Sequence, residues 1–337
     1  MMRSREWQLR RRPEGVPSPS DVELVDVELP EPGPGQVAIA NRVLSVEPYM
    51  WGRMSATGTY ADPYQIGETM TGHAVGVVTA SRAEAIPVGA TVLHEHGWRE
   101  RGVLDAGSVR VLDDPLASEH AAWLGVLGVT GFTAYVALHT IAACRPGETV
   151  FVSAAAGAVG STAVQLAKSQ GCRVIGSAGS AEKVAFVSDE LGADAAFSYR
   201  TGPVREGLRE ALLATGEEGI DVYVDNVGGE HLEAALRYIR PFGRIALCGA
   251  ISTYGSSPSP GPRNLLRAIW QRVRLEGFIV GDHEPHRPDF ERAMGRLLRS
   301  GAVRRIETAS AGIESAFDAF TAMLGGAGIG KTIVRLE

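Results

Sequence analysis

The sequence predicts an α/β protein in two parts: a β-rich unit over residues 1–127, completed by the tail 309–337, and a doubly wound parallel sheet over residues 128–308. Three observations carry that reading. Up to about residue 125, short valine-bearing runs alternate with Pro and Gly, the spacing of an all-β unit. From about Gly128 strands alternate with helices, which calls for crossover connections and hence a parallel sheet. The tail ends in Lys331-Thr332-Ile333-Val334-Arg335-Leu336, a strand with no partner of its own in the second part, so it is expected to return to the first.

In the first part the expected strands are Val22–Leu29, Gln36–Val46, Ala74–Thr79, Thr91–His94 and Gly107–Leu112, each a β-branched run bounded by turn residues. In the second they are Val150–Ser153, Val174–Ser177, Ala195–Phe197, Val222–Asp225 and Arg244–Leu247, with helices opening at Ala158, Ala181, Val204 and Glu230. Leu275-Glu276-Gly277-Phe278-Ile279-Val280 reads as an edge strand of the same sheet, a surface that tends to pair with a second chain and so suggests a homodimer. The Ser/Pro-rich Gly255–Pro262 reads as a flap-like loop.

Bulk properties narrow the function classes. With 337 residues, 45% of them hydrophobic, the chain can fill two cores. Its net charge of −6 argues against nucleic acid as a partner. Cys144, Cys172 and Cys248 are scattered, which fits a reducing compartment rather than a disulfide framework. No apolar run is long enough to span a membrane, and the Arg-rich start lacks the apolar segment of a signal peptide, so a cytoplasmic protein is expected.

The most informative segment is Val150–Gly160, an apolar strand running through a small-residue turn onto a helix. Such a turn receives a dinucleotide pyrophosphate: Gly157 lets the backbone approach phosphate, Gly160 lets helix and strand pack closely, and the free N–H groups of Ala158, Val159 and Gly160 face the anion. The first glycine of the usual G-x-G-x-x-G is replaced by Ala155, and similar turns also serve plain strand-helix packing. The second strand ends at Ser177 without the Asp or Glu that would bind a ribose 2′-hydroxyl. Ala178-Gly179-Ser180-Ala181-Glu182-Lys183 follows instead, and Ser180 with Lys183 suits a 2′-phosphate, so NADP is the expected cofactor. Only Lys168, Lys183 and Lys331 are lysines among 33 basic residues, which marks Lys183 as a chosen point charge or, at its plainest, a solvated helix lysine.

These segments resemble the medium-chain dehydrogenase/reductases, and within them the zinc-free prostaglandin reductase and 2-alkenal double-bond reductase branch. The resemblance is carried nearly end to end by Val46-Glu47-Pro48-Tyr49-Met50, Gly128–Tyr135, Ala154–Gly160, Gly179–Val184, Asp225-Asn226-Val227-Gly228-Gly229, Gly243–Tyr254, Gly277–Val280 and Gly330–Val334. It implies a GroES-like β-rich catalytic domain beside a Rossmann NADP-binding domain. It also implies that Lys183 and Tyr199 hold the adenosine end, and that Asn226, Cys248, Gly249, Ala250, Ile251, Ser252, Tyr254, Phe278, Ile279 and Val280 surround ribose and nicotinamide.

The zinc sites of the wider superfamily can be tested on the residues. A catalytic zinc needs three protein ligands, yet no cysteine precedes Cys144, and Gly72-His73 is followed by Ala74. Three cysteines cannot make a four-cysteine site. His94-Glu95-His96 reads as a polar loop tip or as a metal-holding tip, and no metal is expected.

Without a Lewis acid, the reaction should be one whose developing charge hydrogen bonds can stabilise. Hydride addition to the β-carbon of an enone or enal fits, because charge moves to the oxygen as an enolate. A phenol is a suitable donor, its ordinary pKa of about 10 keeping it protonated. Tyr254, beyond the strand Arg244–Leu247 at the carboxyl end of the sheet, is the first candidate, and Tyr49, which the resemblance places at the substrate cleft, the second. The chain departs from the branch at Glu47 for aspartate, Trp51 for arginine, His73 for a small residue and Gly328 for asparagine, which leaves substrate choice open. A quinone reductase and a non-catalytic NADPH-binding protein are the competing readings.

Overall fold

A computed structural model describes residues 2–56, 60–113, 116, 118–253 and 261–336. Two compact units emerge, Met1–Leu124 together with Glu307–Glu337, and Gly125–Ile306.

In the first unit β1 (Met2–Leu9) and β2 (Val22–Leu29) form an antiparallel ribbon. β3 (Gln36–Ser45) leads into the one-turn helix α1 (Tyr49–Arg53), followed by β4 (Ala74–Ser81), β5 (Thr91–His94), β6 (Arg101–Asp105) and β7 (Val109–Val111). β3 is the hub, antiparallel to β4 and β6, while β4 continues to β5 and β5 to β7. The expected strand Gly107–Leu112 is shorter than its sequence suggests, because Ala106–Ser108 close a 3-10 turn and only Val109–Val111 pair. β1 has an inward face that is polar, which hides it from a hydrophobic-periodicity reading. Ser4 exchanges hydrogen bonds with the Arg101 backbone, and buried Glu6 accepts from Thr69 Oγ1 at 2.6 Å with Arg99 at 3.6 Å.

The second unit opens with α2 (Val129–Tyr135) and then alternates β8 (Thr149–Val152), α3 (Ala158–Ser169), β9 (Arg173–Ala178), α4 (Ala181–Ala185), β10 (Ala195–Ser198), α5 (Val204–Thr215), β11 (Ile220–Asp225), α6 (Gly229–Tyr238) and β12 (Ile239–Leu247). α7 (Arg267–Gln271), β13 (Arg274–Gly277) and α8 (Arg287–Arg299) complete it. All six strands are parallel in the order β10-β9-β8-β11-β12-β13. β8 lies at the centre with every residue buried, which is why it reads as a continuous apolar run rather than an alternation. Phe151 stacks on Tyr223 with ring centroids 4.9 Å apart, inside a core that also holds Ile175, Leu208 and Leu236. The expected edge strand is shorter than its apolar run: it ends at Gly277, and Val280 already begins a 3-10 helix.

The tail then returns to the first unit as β14 (Glu307–Ala311), α9 (Ala316–Leu324) and β15 (Lys331–Arg335). β15 pairs with β3, Ile333 opposite Ser45, and α9 packs Phe317 and Phe320 into a core with Leu9, Leu44, Met50 and Trp98. At the start of β15 the Lys331 ammonium is buried, 2.8 Å from Glu47 Oε1, and also donates to the Val46 carbonyl at 3.3 Å. Ser45 Oγ donates to the same carboxylate oxygen. Burial acts to raise the Glu47 carboxyl, yet the Lys331 and His73 charges and the two hydrogen bonds hold it down at about 2. Among the described residues no helix is long and apolar enough to cross a membrane.

Removing one partner of such a pair strands a buried charge. Lys331→Met should therefore cost about 3–5 kcal/mol in urea unfolding, and Glu47→Gln in the same chain should restore most of it. Because the Glu47 pKa is depressed on folding, its contribution is full above the usual carboxylate range and is lost as pH falls through about 2. An acid titration of the wild type and of Glu47→Gln should diverge in that window.

Candidate nucleotide and catalytic site

In the second unit the chain runs outward along β8, β9 and β10 on one side and β11, β12 and β13 on the other, so strand order reverses between β8 and β11. Ligands of such sheets bind at that reversal, beyond the carboxyl ends of the strands. The turn after β8 lies there. Ala154 adopts φ +49°, Gly157 caps α3 in extended conformation, and Gly157 N donates back to Ala154 O at 2.9 Å. A Cβ on Gly160 would stand 2.2 Å from Ala154 O, so only glycine fits. Ala155 replaces the first glycine of the fingerprint at no steric loss, because its methyl occupies the space left by Gly176 on β9, where a Cβ would lie 2.9 Å away. The first turn of α3 contains no acidic residue, and the N–H groups of Ala158, Val159 and Gly160, as first-turn donors with no acceptor four residues back, have the chemistry that suits an anion.

At the ends of β9 and β10 the structure gathers Ser180, Lys183 and Tyr199. Ser180 Oγ is the N-cap of α4, accepting from Lys183 N at 3.3 Å, so the hydroxyl has a structural task beyond the one expected of it. Tyr199 Oη sits against Gly179, where a Cβ would be 2.8 Å from it, and its ring meets His231 edge-on at 5.3 Å. Burial keeps His231 neutral, its pKa lowered to about 4. Partial burial also lowers the Lys183 pKa, and the Arg200 guanidinium adds to the shift. Arg200 is the residue missed in the sequence: it directly follows Tyr199 at the end of the third strand, and the signal available was that position alone.

At the reversal point β11 ends in a dense polar network. Asp225 Oδ1 accepts from Tyr223 Oη at 2.7 Å, Val227 N at 2.9 Å and Gly228 N at 2.7 Å. Even so, burial raises its pKa, and its Oδ2 is buried with no hydrogen-bond partner among the described residues. Asn226 Nδ2 donates to Ser153 O at 2.8 Å and Asn226 N to Ser153 Oγ at 3.0 Å, which ties this strand end to the turn after β8. The Asn226 amide nitrogen is thus committed to the backbone, leaving Oδ1 as the acceptor that the side chain can offer. Cys248 and Gly249 donate to the Asp225 carbonyl, Ile251 to Asn226 O and Ser252 to Val227 O, so Cys248, Gly249, Ala250, Ile251 and Ser252 lie along Asn226 and Val227. Phe278 follows Gly277, the register partner of Leu247, which sets Phe278, Ile279 and Val280 at the neighbouring strand end. Tyr254 lies outside the described residues, as does most of the Gly255–Pro262 loop.

In the β-rich unit Tyr49 opens α1 two residues after Glu47. Burial and the Glu47 carboxylate push its phenol above the ordinary range, so it stays protonated. His73 Nε2 lies 3.4 Å from Glu95 Oε1, and the Arg53 guanidinium lies 4.1 Å over the Tyr64 ring. His94 is not a ligand tip: Nε2 pairs with Asn41 Oδ1 at 2.9 Å and Nδ1 accepts from His96 N at 3.1 Å.

Two family profiles match the chain, one described as the N-terminal domain of oxidoreductase over residues 5–112 and one as zinc-binding dehydrogenase over residues 158–299. Among the described residues no group of three His, Cys, Asp or Glu side chains is arranged to hold a metal ion, so the donor set does not fit the zinc of that description. The chain is 39% identical to prostaglandin reductase 1 of Rattus norvegicus, with 99% of this chain and 100% of that protein covered. It is 37% identical to the NADP(+)-dependent 2-alkenal reductase of Nicotiana tabacum, with 96% and 94% covered. The crystal structure of CurA in complex with NADPH from Vibrio vulnificus superposes with a TM-score of 0.92 at 34% identity, covering 99% of each chain. The strand-turn-helix cradle and these end-to-end likenesses agree: the chain belongs to the medium-chain dehydrogenase/reductases, in the branch of the prostaglandin reductases and 2-alkenal double-bond reductases.

Proposed function

We propose that the chain is an NADPH-dependent reductase of the carbon–carbon double bond of enones and enals, acting as a cytoplasmic homodimer. The observation that carries the cofactor reading is the pair of cations after β9 and β10, Lys183 and Arg200, near enough for the Arg200 charge to act on Lys183, where a site for NAD would present a carboxylate. Relatives described as NADP-dependent 2-alkenal reductase and prostaglandin reductase, and a solved relative holding NADPH, support the reaction. Gly157, Ala158, Val159 and Gly160 receive pyrophosphate; Ser180, Lys183 and Arg200 receive the 2′-phosphate; Tyr199 flanks the adenosine. Asn226, Cys248 to Ser252 and Phe278 to Val280 enclose ribose and nicotinamide.

Bound there, NADPH supplies the hydride taken by the substrate β-carbon. The chain's own residues manage the charge that collects on the carbonyl oxygen and the proton the α-carbon takes up. Tyr254 is assigned to that proton, delivered directly or through water. Tyr49, a phenol kept un-ionised by burial and by Glu47, donates to the carbonyl oxygen. The homodimer reading rests on β13, which among the described residues pairs only with β12, and on the exposed apolar side chains of Leu266, Ile269 and Trp270 around α7. The cytoplasmic reading rests on the three free cysteines.

Lys183→Ala should weaken NADPH binding by about 1–3 kcal/mol in a fluorescence titration, with NADH nearly unaffected and Arg200→Ala acting in the same sense. Equal losses for both cofactors would move the cations away from the 2′-phosphate. Deuteride from 4-deuterated NADPH should appear at the carbon β to the carbonyl of the saturated product, and deuterium at the carbonyl carbon would make the protein a carbonyl reductase instead. In the same assay Tyr254→Phe should lower kcat by about 10- to 10³-fold, while Tyr49→Phe raises the substrate KM. Undiminished quinone turnover by Tyr254→Phe would favour the quinone reductase reading. Small-angle scattering at micromolar concentration should return the mass of two chains, and a monomer would rule the dimer out.

A further inference from the structure

Two of the three cysteines that look scattered in sequence meet in the fold. Cys144 and Cys172 are 28 positions apart, and their sulfurs lie 3.4 Å from each other. Cys144 is half-buried in the connection before β8, while Cys172 is buried immediately before β9.

The backbone on both sides of the pair is pinned. Cys144 N donates to Leu138 O at 2.8 Å, Cys172 N to Ala167 O at 3.0 Å, and Gly147 N to Gly171 O at 3.0 Å. Cys172 Sγ also donates to the Arg145 carbonyl at 3.3 Å. Arg244 holds the Cys144 connection from β12, two strands away from β8, through Ala142 O at 2.9 Å, Ala143 O at 3.3 Å and the Glu148 carboxylate. Arg274 adds a bond to Ile141 O. The two sulfurs are thus already in contact on anchored chain, and closing to a covalent S–S bond of about 2.05 Å asks for a side-chain adjustment rather than a rearrangement of the fold.

We propose that Cys144 and Cys172 form a thiol-oxidation site, converted by a hydroperoxide into an intramolecular disulfide that closes a ring around β8, the phosphate-binding turn and α3. The electrons and atoms balance in two steps. A thiolate of the pair attacks the peroxide O–O bond, giving a sulfenic acid and releasing hydroxide, or alkoxide from an organic peroxide. The second thiol then displaces the sulfenic oxygen as water, forming S–S. After its first ionisation the pair shares one proton between two sulfurs, and the half-buried Cys144 is the sulfur a peroxide reaches first. The bond sits at the amino ends of the strands, opposite the carboxyl ends where the cradle lies, so it clips the cofactor-binding unit from behind without entering the site.

The ring adds a constraint that the unfolded chain lacks, which should raise the thermal midpoint by about 5 °C or more. The test treats the reduced full-length protein with hydrogen peroxide and follows it by non-reducing peptide mass mapping, thiol titration in denaturant and thermal unfolding. Expected are a Cys144–Cys172 linked peptide, a fall from three titratable thiols to one, and a higher midpoint that dithiothreitol reverses. Cys144→Ser and Cys172→Ala, tested separately so that either can stand if the other misfolds, should each lose the link and the shift. Sulfinic acid at Cys144 without a link, a bond between two chains, prior loss of the Cys248 thiol, or three thiols still titrating would each overturn the proposal. A link that leaves the midpoint unchanged or lowers it would overturn the stabilising ring.

Discussion

The nucleotide-binding unit depends on one close approach, that of the first turn of α3 to the backbone leaving β8. Gly160 stands where any Cβ would press into the Ala154 carbonyl at 2.2 Å, and this contact sets how near the helix lies to the sheet. With the helix so placed, its first N–H groups converge on the turn, and Ala154 is driven to φ +49° to bring the strand end round. The loss of the first fingerprint glycine is absorbed on the neighbouring strand, since Ala155 fills what Gly176 leaves empty. The fingerprint is therefore a property of two adjacent strands and not of one loop.

The cradle built on that contact is electrostatically graded. At the start of α3 it offers backbone donors with no acidic residue in the first turn, and beyond β9 and β10 it offers the cations Lys183 and Arg200, the two ends that the proposed function assigns to pyrophosphate and 2′-phosphate. The buried acid Asp225 is turned into the protein, where Tyr223 and the Val227 and Gly228 amides hold it. Asn226 does comparable work, using its nitrogens to lash β11 to the turn after β8. The groups that the proposed function assigns to cofactor and the groups that hold the strand ends together are thus interleaved along the chain.

The β-rich unit is organised around a different constraint, a buried ion pair between distant parts of the chain. Lys331, one of only three lysines, neutralises Glu47 two residues before Tyr49. A buried pair of this kind adds little net stability against an apolar replacement, but it penalises any register that leaves either charge alone. It therefore specifies that β15 lies against β3 with Ile333 opposite Ser45, and it fixes the carboxylate that adds to burial in raising the Tyr49 phenol.

The sequence by itself determined the strand-helix alternation of the second unit, the position of the phosphate-binding turn and the missing acid after β9, because each is a local pattern in which side-chain size or charge acts within a few residues. Where inward-facing positions are polar, as at Ser4 and Glu6 of β1, the pattern is silent, since hydrophobic periodicity cannot register a buried hydrogen-bonded face. Only the tertiary structure decided which residues share a surface. It set Arg200 within electrostatic range of Lys183, the Ala155 methyl against Gly176, Lys331 against Glu47 and Cys144 against Cys172. Those partners are separated by as few as 17 positions or by nearly the whole chain, and strand register, not sequence distance, brings them within interaction range.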